Sequence, residues 1–206
     1  MIPLLLMLAA ADAPTMTPVE AERAFAADAQ KIGQWTAFRK WSTDAATMFV
    51  PEPVNAHAWL KDRKNPERSV RWQPIASFLS CDGKTAVNTG AWQRPDGSVG
   101  YFTTVWQKRA DGTWRWLLDS GETLKKPRSV PVKPIVWRAA CTPAAWPVSV
   151  VVHPNEKGGS SADQSLRWTS RVNADGSRSF GTAIWNGITT IWVVDDSVVA
   201  DRIAAG

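Results

Sequence analysis

Residues 85–122 read TAVNTGAWQRPDGSVGYFTTVWQKRADGTWRWLLDSGE, and this stretch decides the fold class. It divides into three strands, Thr85–Gln93, Val99–Lys108 and Thr113–Asp119. Two Asp-Gly turns, at Arg94–Ser98 and Arg109–Gly112, separate them in the manner of closed hairpins. Side chains alternate across a strand, so Trp114, Trp116 and Leu118 are expected on one face and Arg115, Leu117 and Asp119 on the other. A meander that also carries Trp92, Phe102 and Trp106 needs a cover, and the segment before it supplies one.

That segment begins with Thr17-Pro18-Val19-Glu20, which combines a capping threonine, a proline at the first helical position and the glutamate of a capping box. Phe25, Ala29, Ile32 and Thr36 then recur at helical spacing, with Gly33 marking a break and Asp28 on the same face. A second short helix at 34–41 presents Trp35, Phe38 and Trp41. A short strand at Thr47–Val50 stops at Pro51-Glu52-Pro53, and Asn55 can cap a third helix carrying Ala58, Trp59 and Leu60. Val70–Leu79 is a strand interrupted at Pro74, which implies an edge position or a bulge.

Beyond Glu122 the character changes. Five prolines between Lys125 and Pro147 argue for an extended, irregular connection. Val148–Val152 is a β-branched run, and Lys157–Ser161 reads as a flexible Gly-Gly loop. A second meander follows: Leu166–Val172, Arg178–Trp185 and Ile188–Val194, joined by turns at Asn173–Gly176 and Asn186-Gly187.

At 206 residues and 44% hydrophobic content the chain can bury a full core. Thirteen tryptophans beside one tyrosine point mainly to packing, with any surplus of rings available to stack on a flat ligand. A net charge of +5 is spread along the chain without a nucleic-acid-reading module, so a nucleic-acid partner is not expected. Ile2–Ala11 is an apolar run of signal-peptide length ending in alanines, too short to span a bilayer. Residues 1–13 therefore read as an export signal, which implies a periplasmic or secreted protein without an integral membrane segment in its mature chain. In that compartment Cys81 and Cys141, the only cysteines, are expected to pair; two separate buried thiols are the alternative. Neither has zinc-site spacing, and no metal or cofactor motif occurs.

The order of helices, short strand, small helix and curved sheet over 17–124 resembles the nuclear transport factor 2-like superfamily. Within it, Ala21–Gly121 looks like the ketosteroid-isomerase-like and SnoaL-like stand-alone domains. The matching residues are Phe25–Gly33, Asp44–Pro51, Gly100–Phe102 through Val105-Trp106, and Gly112–Trp116. The resemblance implies an α+β fold in which a curved antiparallel sheet and N-terminal helices form a cone around an apolar pocket. The Pro-rich connection at 125–147 and a small antiparallel meander within 148–206 lie outside it. Phe25, Ile32, Trp59, Trp92, Phe102 and Trp106 are the expected lining of the cone. The isomerases of this superfamily use a carboxylate base soon after the first short strand; Glu52 matches it with a gap, and Val50 without one. Their helix-borne phenol has no counterpart, because Phe25 and Ala26 stand there and the one tyrosine is Tyr101. Asp119 stands at a strand end where the superfamily places a polar pocket residue.

Glu52, Asp28 and Asp119 are thus the candidate catalytic acids, each with a structural alternative: a loop carboxylate, an ion pair with an arginine such as Arg39, and a solvent-facing strand end. His57 and His153 lie in no nucleophile motif. Three functions stay open. The leading one is an exported domain that binds a small apolar or aromatic molecule without catalysis. The others are an isomerase, cyclase or hydratase using a pocket carboxylate, and an envelope module binding sugars or proteins through exposed tryptophans. A homodimer is compatible with all three.

Overall fold

The Thr17 hydroxyl accepts the Glu20 N–H at 3.2 Å, and the Glu20 carboxylate accepts the Thr17 N–H at 2.7 Å. This capping box starts the first helix, α1 (Pro18–Ile32). The computed structural model of the protein describes residues 16–143 and 156–198. The apolar start, Val148–Val152 and His153 lie outside the described residues. Gly33, at φ +93°, ends α1, and a Cβ there would stand 2.3 Å from Asn65. Asn65 needs that space because its Oδ1 accepts the N–H groups of Trp35 and Thr36, capping α2 (Gln34–Trp41) from a distant loop. Asn55 caps the third helix, α3 (Ala56–Leu60), by accepting the Ala58 N–H at 2.9 Å.

Seven strands form the main sheet: β1 (Ser42–Phe49), β2 (Pro53–Asn55), β3 (Arg71–Leu79), β4 (Thr85–Gln93), β5 (Val99–Lys108), β6 (Trp114–Leu124) and β7 (Ile135–Arg138). Their order is β2-β1-β6-β5-β4-β3-β7. The meander β4–β6 closes through the two Asp-Gly turns, with Gly97 and Gly112 at positive φ. The sheet is mixed rather than wholly antiparallel, since β1 runs parallel to β6 and β7 parallel to β3. A parallel neighbour requires a long crossover. The chain between β1 and β6 and the whole β4–β6 meander provide the two crossovers. Pro74 marks a bulge, as the register of β3 on β4 shifts between Pro74 and Ala76.

Each face of this sheet carries its own core. Trp72, Phe102, Trp106, Trp114 and Trp116 pack with Phe25, Phe38 and Trp41 on the helical side. Phe78, Val87, Val105 and Leu118 pack on the opposite side. Leu118 is therefore not on the face of Trp116, contrary to simple alternation. Trp106 pairs with Trp116 but Val105 with Leu118, so Leu117 is an extra residue on β6. This bulge exchanges the faces of everything after it.

The back of the sheet is covered by a second, four-stranded sheet: β8 (Glu156–Ser160), β9 (Leu166–Val172), β10 (Arg178–Trp185) and β11 (Thr190–Val198), in order β11-β10-β9-β8. The predicted antiparallel meander is present, with its last strand shifted to 190–198. Gly158 and Gly159 belong to β8 instead of a loop. They are small because a Cβ on Gly159 would lie 2.8 Å from the Trp168 ring, which occupies that surface. Leu166, Phe180, Ile184 and Val194 fill the space between the sheets.

Polar links reinforce this apolar contact. Asp196 accepts from Thr103 Oγ1 and pairs with Arg128, both at 2.7 Å. Ser165 Oγ and the Asp163 carboxylate accept the backbone N–H groups of Cys81 and Asp82. Cys81 and Cys141 form a disulfide, which ties the β3–β4 turn to the segment after β7. Closing a loop of this separation stabilises by about 4 kcal/mol on the chain-entropy account. Replacing both cysteines with serine is expected to lower unfolding stability by up to about that amount, read as a reduced urea midpoint under non-reducing conditions.

Candidate functional site

The middle strand of the meander sets the shape of the cavity. Phe102 on β5 is flanked across the sheet by Gly90 on β4 and Gly121 on β6. A Cβ on Gly90 would meet the Gln73 carbonyl at 2.1 Å and the Phe102 ring at 2.4 Å; one on Gly121 would meet the Tyr101 carbonyl at 2.3 Å. Close strand approach on both sides of one large ring is thus possible only with glycine. Between this part of the sheet and helices α1 and α2 lies a cavity of about 440 Å³. Phe25, Phe38, Phe49, Trp72, Trp92 and Phe102 supply its aromatic wall. Its size falls in the ordinary range for small-molecule sites.

Three carboxyl groups border the cavity: Glu122, which is paired with Arg178, and Glu22 and Asp119, which lie in different environments. Glu22 projects from α1 with no exposed surface. Its Oε1 accepts the Trp72 indole N–H at 2.8 Å, and its Oε2 accepts Trp106 Nε1 at 2.8 Å and Asn88 Nδ2 at 3.1 Å. Burial pushes the Glu22 carboxyl up to about 7, overcoming these three donors, and the nearby Asp119 adds to the rise. Asp119 follows the Leu117 bulge, which places it among the cavity-lining residues. It accepts one hydrogen bond, from Thr104 Oγ1 at 2.8 Å. Loss of bulk water raises Asp119 to about 7 as well. It keeps accessible surface because it borders the cavity. Asp119 is therefore the acid within reach of a ligand, while Glu22 is committed to its indole and amide donors.

Cations stand at the edges. Arg178 arrives from β10 in the second sheet and is only 7% exposed. It pairs with Glu122 at 2.9 Å, donates to the Pro51 carbonyl, and lies 5.5 Å from the centre of the Phe49 ring. The C-terminal sheet thus helps to build the cavity wall. Arg94 lies over the Trp92 ring at 4.5 Å. Pro51 and Arg94 are the exposed residues of the lining and mark where the cavity meets solvent.

Of the residues singled out from the sequence, Phe25, Trp92, Phe102 and Asp119 line the cavity. Trp106 is not among the lining residues; it stands behind Glu22, to which it donates, and behind Phe25, against whose ring it packs edge-on. Asp28 does not join them: Lys40 Nζ at 2.6 Å and Trp41 Nε1 at 2.7 Å both donate to its Oδ2. Although burial opposes it, those donors hold the Asp28 carboxyl below the usual range. Its partner is Lys40 rather than Arg39, which donates to the Leu60 carbonyl instead. Ile32 is 38% exposed at the end of α1. Trp59 packs against Trp35 and under Arg63, outside the cavity. Glu52 is exposed and only its neighbours Val50 and Pro51 reach the lining.

Glu22 escaped the sequence reading, although its spacing to Phe25 and Ala29 put it on the buried stripe of α1. The Ser42 hydroxyl lies 2.8 Å from His57 Nε2, but it also donates to the Arg39 carbonyl and is remote from the cavity lining. Among the described residues, no group of three or more His, Cys, Asp or Glu side chains is placed to share a metal ion.

Similarity to solved structures is confined to about half of the chain. A candidate ketosteroid isomerase from Parabacteroides distasonis is 14% identical, covering 53% of this chain and 89% of its own, with a TM-score of 0.43. An NTF2-like superfamily protein from Salmonella enterica serovar Typhimurium is 13% identical over 52% and 89%, with a TM-score of 0.41. The S. rosetta CaMKII hub is 19% identical over 53% and 98%, with a TM-score of 0.38. The structural neighbours are thus ketosteroid-isomerase-like and NTF2-like proteins, and the likeness is one of fold. No family model and no curated protein matches the chain.

Both raised carboxyls bind protons more tightly in the folded chain than in the unfolded one. Their ordinary values are 3.8 for Asp119 and 4.5 for Glu22, against about 7 when folded. Stability should therefore be greatest below about pH 4 as far as these two groups decide it, fall as pH rises to about 7, and level off above. Carboxyls held low, such as Asp28, act in the opposite sense and at lower pH. Urea midpoints from pH 5 to pH 8 should decline in the parent protein and decline less in Asp119→Asn, which keeps an acceptor for Thr104. Glu22→Gln, which cannot ionise, should likewise flatten the decline between pH 5 and pH 8.

Proposed function

We propose that the cavity binds a small, largely apolar or aromatic molecule carrying at least one hydrogen-bonding group, without converting it. The observation that carries this reading is Asp119, an acid near its neutral form with spare lone pairs beside an aromatic wall. A protonated carboxyl can donate to a ligand oxygen and an ionised one can accept from a hydroxyl, so one side chain serves either kind of group.

A specific observation favours a second reading as an isomerase, cyclase or hydratase. A carboxyl titrating near neutrality is suited to proton transfer. Such a reaction also needs donors for the charge that develops on the substrate. Here the indole donors of Trp72 and Trp106 are taken by Glu22, Tyr101 lies beneath Arg128 outside the cavity lining, and Arg94, whose guanidinium edge is free, stands at the exposed mouth. Binding is accordingly the leading function. For the envelope-module reading, the exposed tryptophans among the described residues are Trp137 and Trp192, which stand on different sheets. The disulfide and the apolar run at 2–11 support a periplasmic or secreted setting for the binding reading.

A thermal-shift screen against steroids, aromatic polyketides and oligosaccharides tests these choices. A stabilising hit among the first two classes is expected, with no turnover, and Asp119→Asn should weaken it by about tenfold. Stabilisation by oligosaccharides alone would overturn the cavity reading. Turnover abolished by Asp119→Asn would replace binding with catalysis.

A further inference from the structure

Beside the cavity runs a second, polar groove of about 330 Å³, lined by Gln30, Glu67, Arg68, Arg71, Gln93 and Arg94 among others. Its wall is shared with the cavity. On β3 and β4, Trp72 pairs with Trp92 and both face the cavity, while the next pair, Arg71 and Gln93, lines the groove. Alternation along the two strand ends thus sends aromatic rings to one side and polar groups to the other. Arg94 lines both spaces.

The charge in the groove is not balanced by its own walls. Glu67 faces three guanidinium groups, those of Arg68, Arg71 and Arg94. Among the described residues, the side chains of Arg68 and Arg71 make no ion pair or hydrogen bond. Arg94 lies against Trp92, an arrangement that holds the guanidinium by one face and leaves its N–H edge available. Asp96 is near enough to feel Arg94, but its Oδ1 is occupied by the Ser98 N–H and hydroxyl. The wall between the two spaces is also fixed. Gln30 Nε2 donates to the Val70 carbonyl at 2.7 Å, and the Val70 N–H donates to Gln34 Oε1 at 3.0 Å.

We propose that the ligand of the cavity is an amphipathic acid, an aromatic or alicyclic body with a carboxylate, sulfonate or phosphate end. Its body occupies the aromatic cavity, and its anionic end emerges at Arg94 to lie between Arg94, Arg71 and Arg68. This deepens the binding function proposed above and rests on it. Planar guanidinium groups match such oxyanions by paired N–H donors, and three exposed cations around one exit favour an anion over a neutral or cationic end.

Two fluorescent probes separate the parts. N-phenyl-1-naphthylamine and 8-anilino-1-naphthalenesulfonate share an anilinonaphthalene body, and only the second is anionic. In the full chain at low salt both should bind at one site. The double variant Arg68→Gln/Arg71→Gln should weaken the sulfonate probe at least fivefold and leave the neutral probe within twofold. The exposed pair Lys125→Gln/Lys126→Gln removes the same charge elsewhere and should change neither. Raising salt from about 20 to 500 mM should weaken the sulfonate probe alone, as screening requires. Equal loss in both double variants, or no loss in either, overturns the anionic-end proposal while binding of the neutral probe upholds the cavity. Failure of both probes to bind overturns the cavity reading together with it.

Discussion

The buried Glu22 carboxylate is the constraint around which the first half of the structure is arranged. Its two oxygens gather N–H groups from Trp72 on β3, Asn88 on β4 and Trp106 on β5. One residue of α1 therefore fixes the helix against three neighbouring strands at once. Asn88 adds a second tie by donating to the Pro18 carbonyl at the start of the same helix. Hydrophobic packing alone would let α1 slide or rotate over a surface of similar rings. Directional hydrogen bonds to a single carboxylate do not, and a donor left without it would bear its full desolvation cost. The cavity exists because this anchor holds Phe25 and the helix at a set distance above the curved strands.

The meander was readable because its signals are local: alternating side chains, Asp-Gly turns and a capping box each act within a few residues. What could not be read depends on partners far apart in the chain. The parallel placement of β1 and β7 is a matter of sheet order, which no short pattern encodes. The role of Gly158 and Gly159 depends on a ring nine residues on, that of Trp168 over Gly159, so their composition suggested a loop. At the site, Asp28 was conspicuous for being charged on a helical stripe, yet a neighbouring helix supplies Lys40 and Trp41 to satisfy it. Glu22 lies on the same helix with better spacing to the buried residues. Its importance follows from two indole N–H groups that are fifty and eighty-four residues away.

The second sheet changes what the main sheet can be. With helices on one face and strands on the other, both faces of β3–β6 are buried, so residues such as Thr103 and Tyr101 sit among polar partners instead of water. Asp196, Arg128 and Thr103 form one polar link across this interface, and Arg178 with Glu122 forms another at the cavity edge. A change in the packing of β10 would thus be felt at Pro51 and Phe49 through Arg178.

The single extra residue in β6 gives the site acid an unusual kind of dependence. Asp119 lines the cavity because Leu117 has no partner on β5, and Leu118 turns to the second sheet for the same reason. Were the same sequence to pair with β5 without this bulge, Leu118 would face the cavity and the Asp119 carboxylate the apolar layer between the sheets. Here the chemistry of the pocket is set by strand register as much as by residue type. A chain that lost this leucine would keep the aspartate on the cavity face, whereas one that kept the leucine and lost the bulge would not.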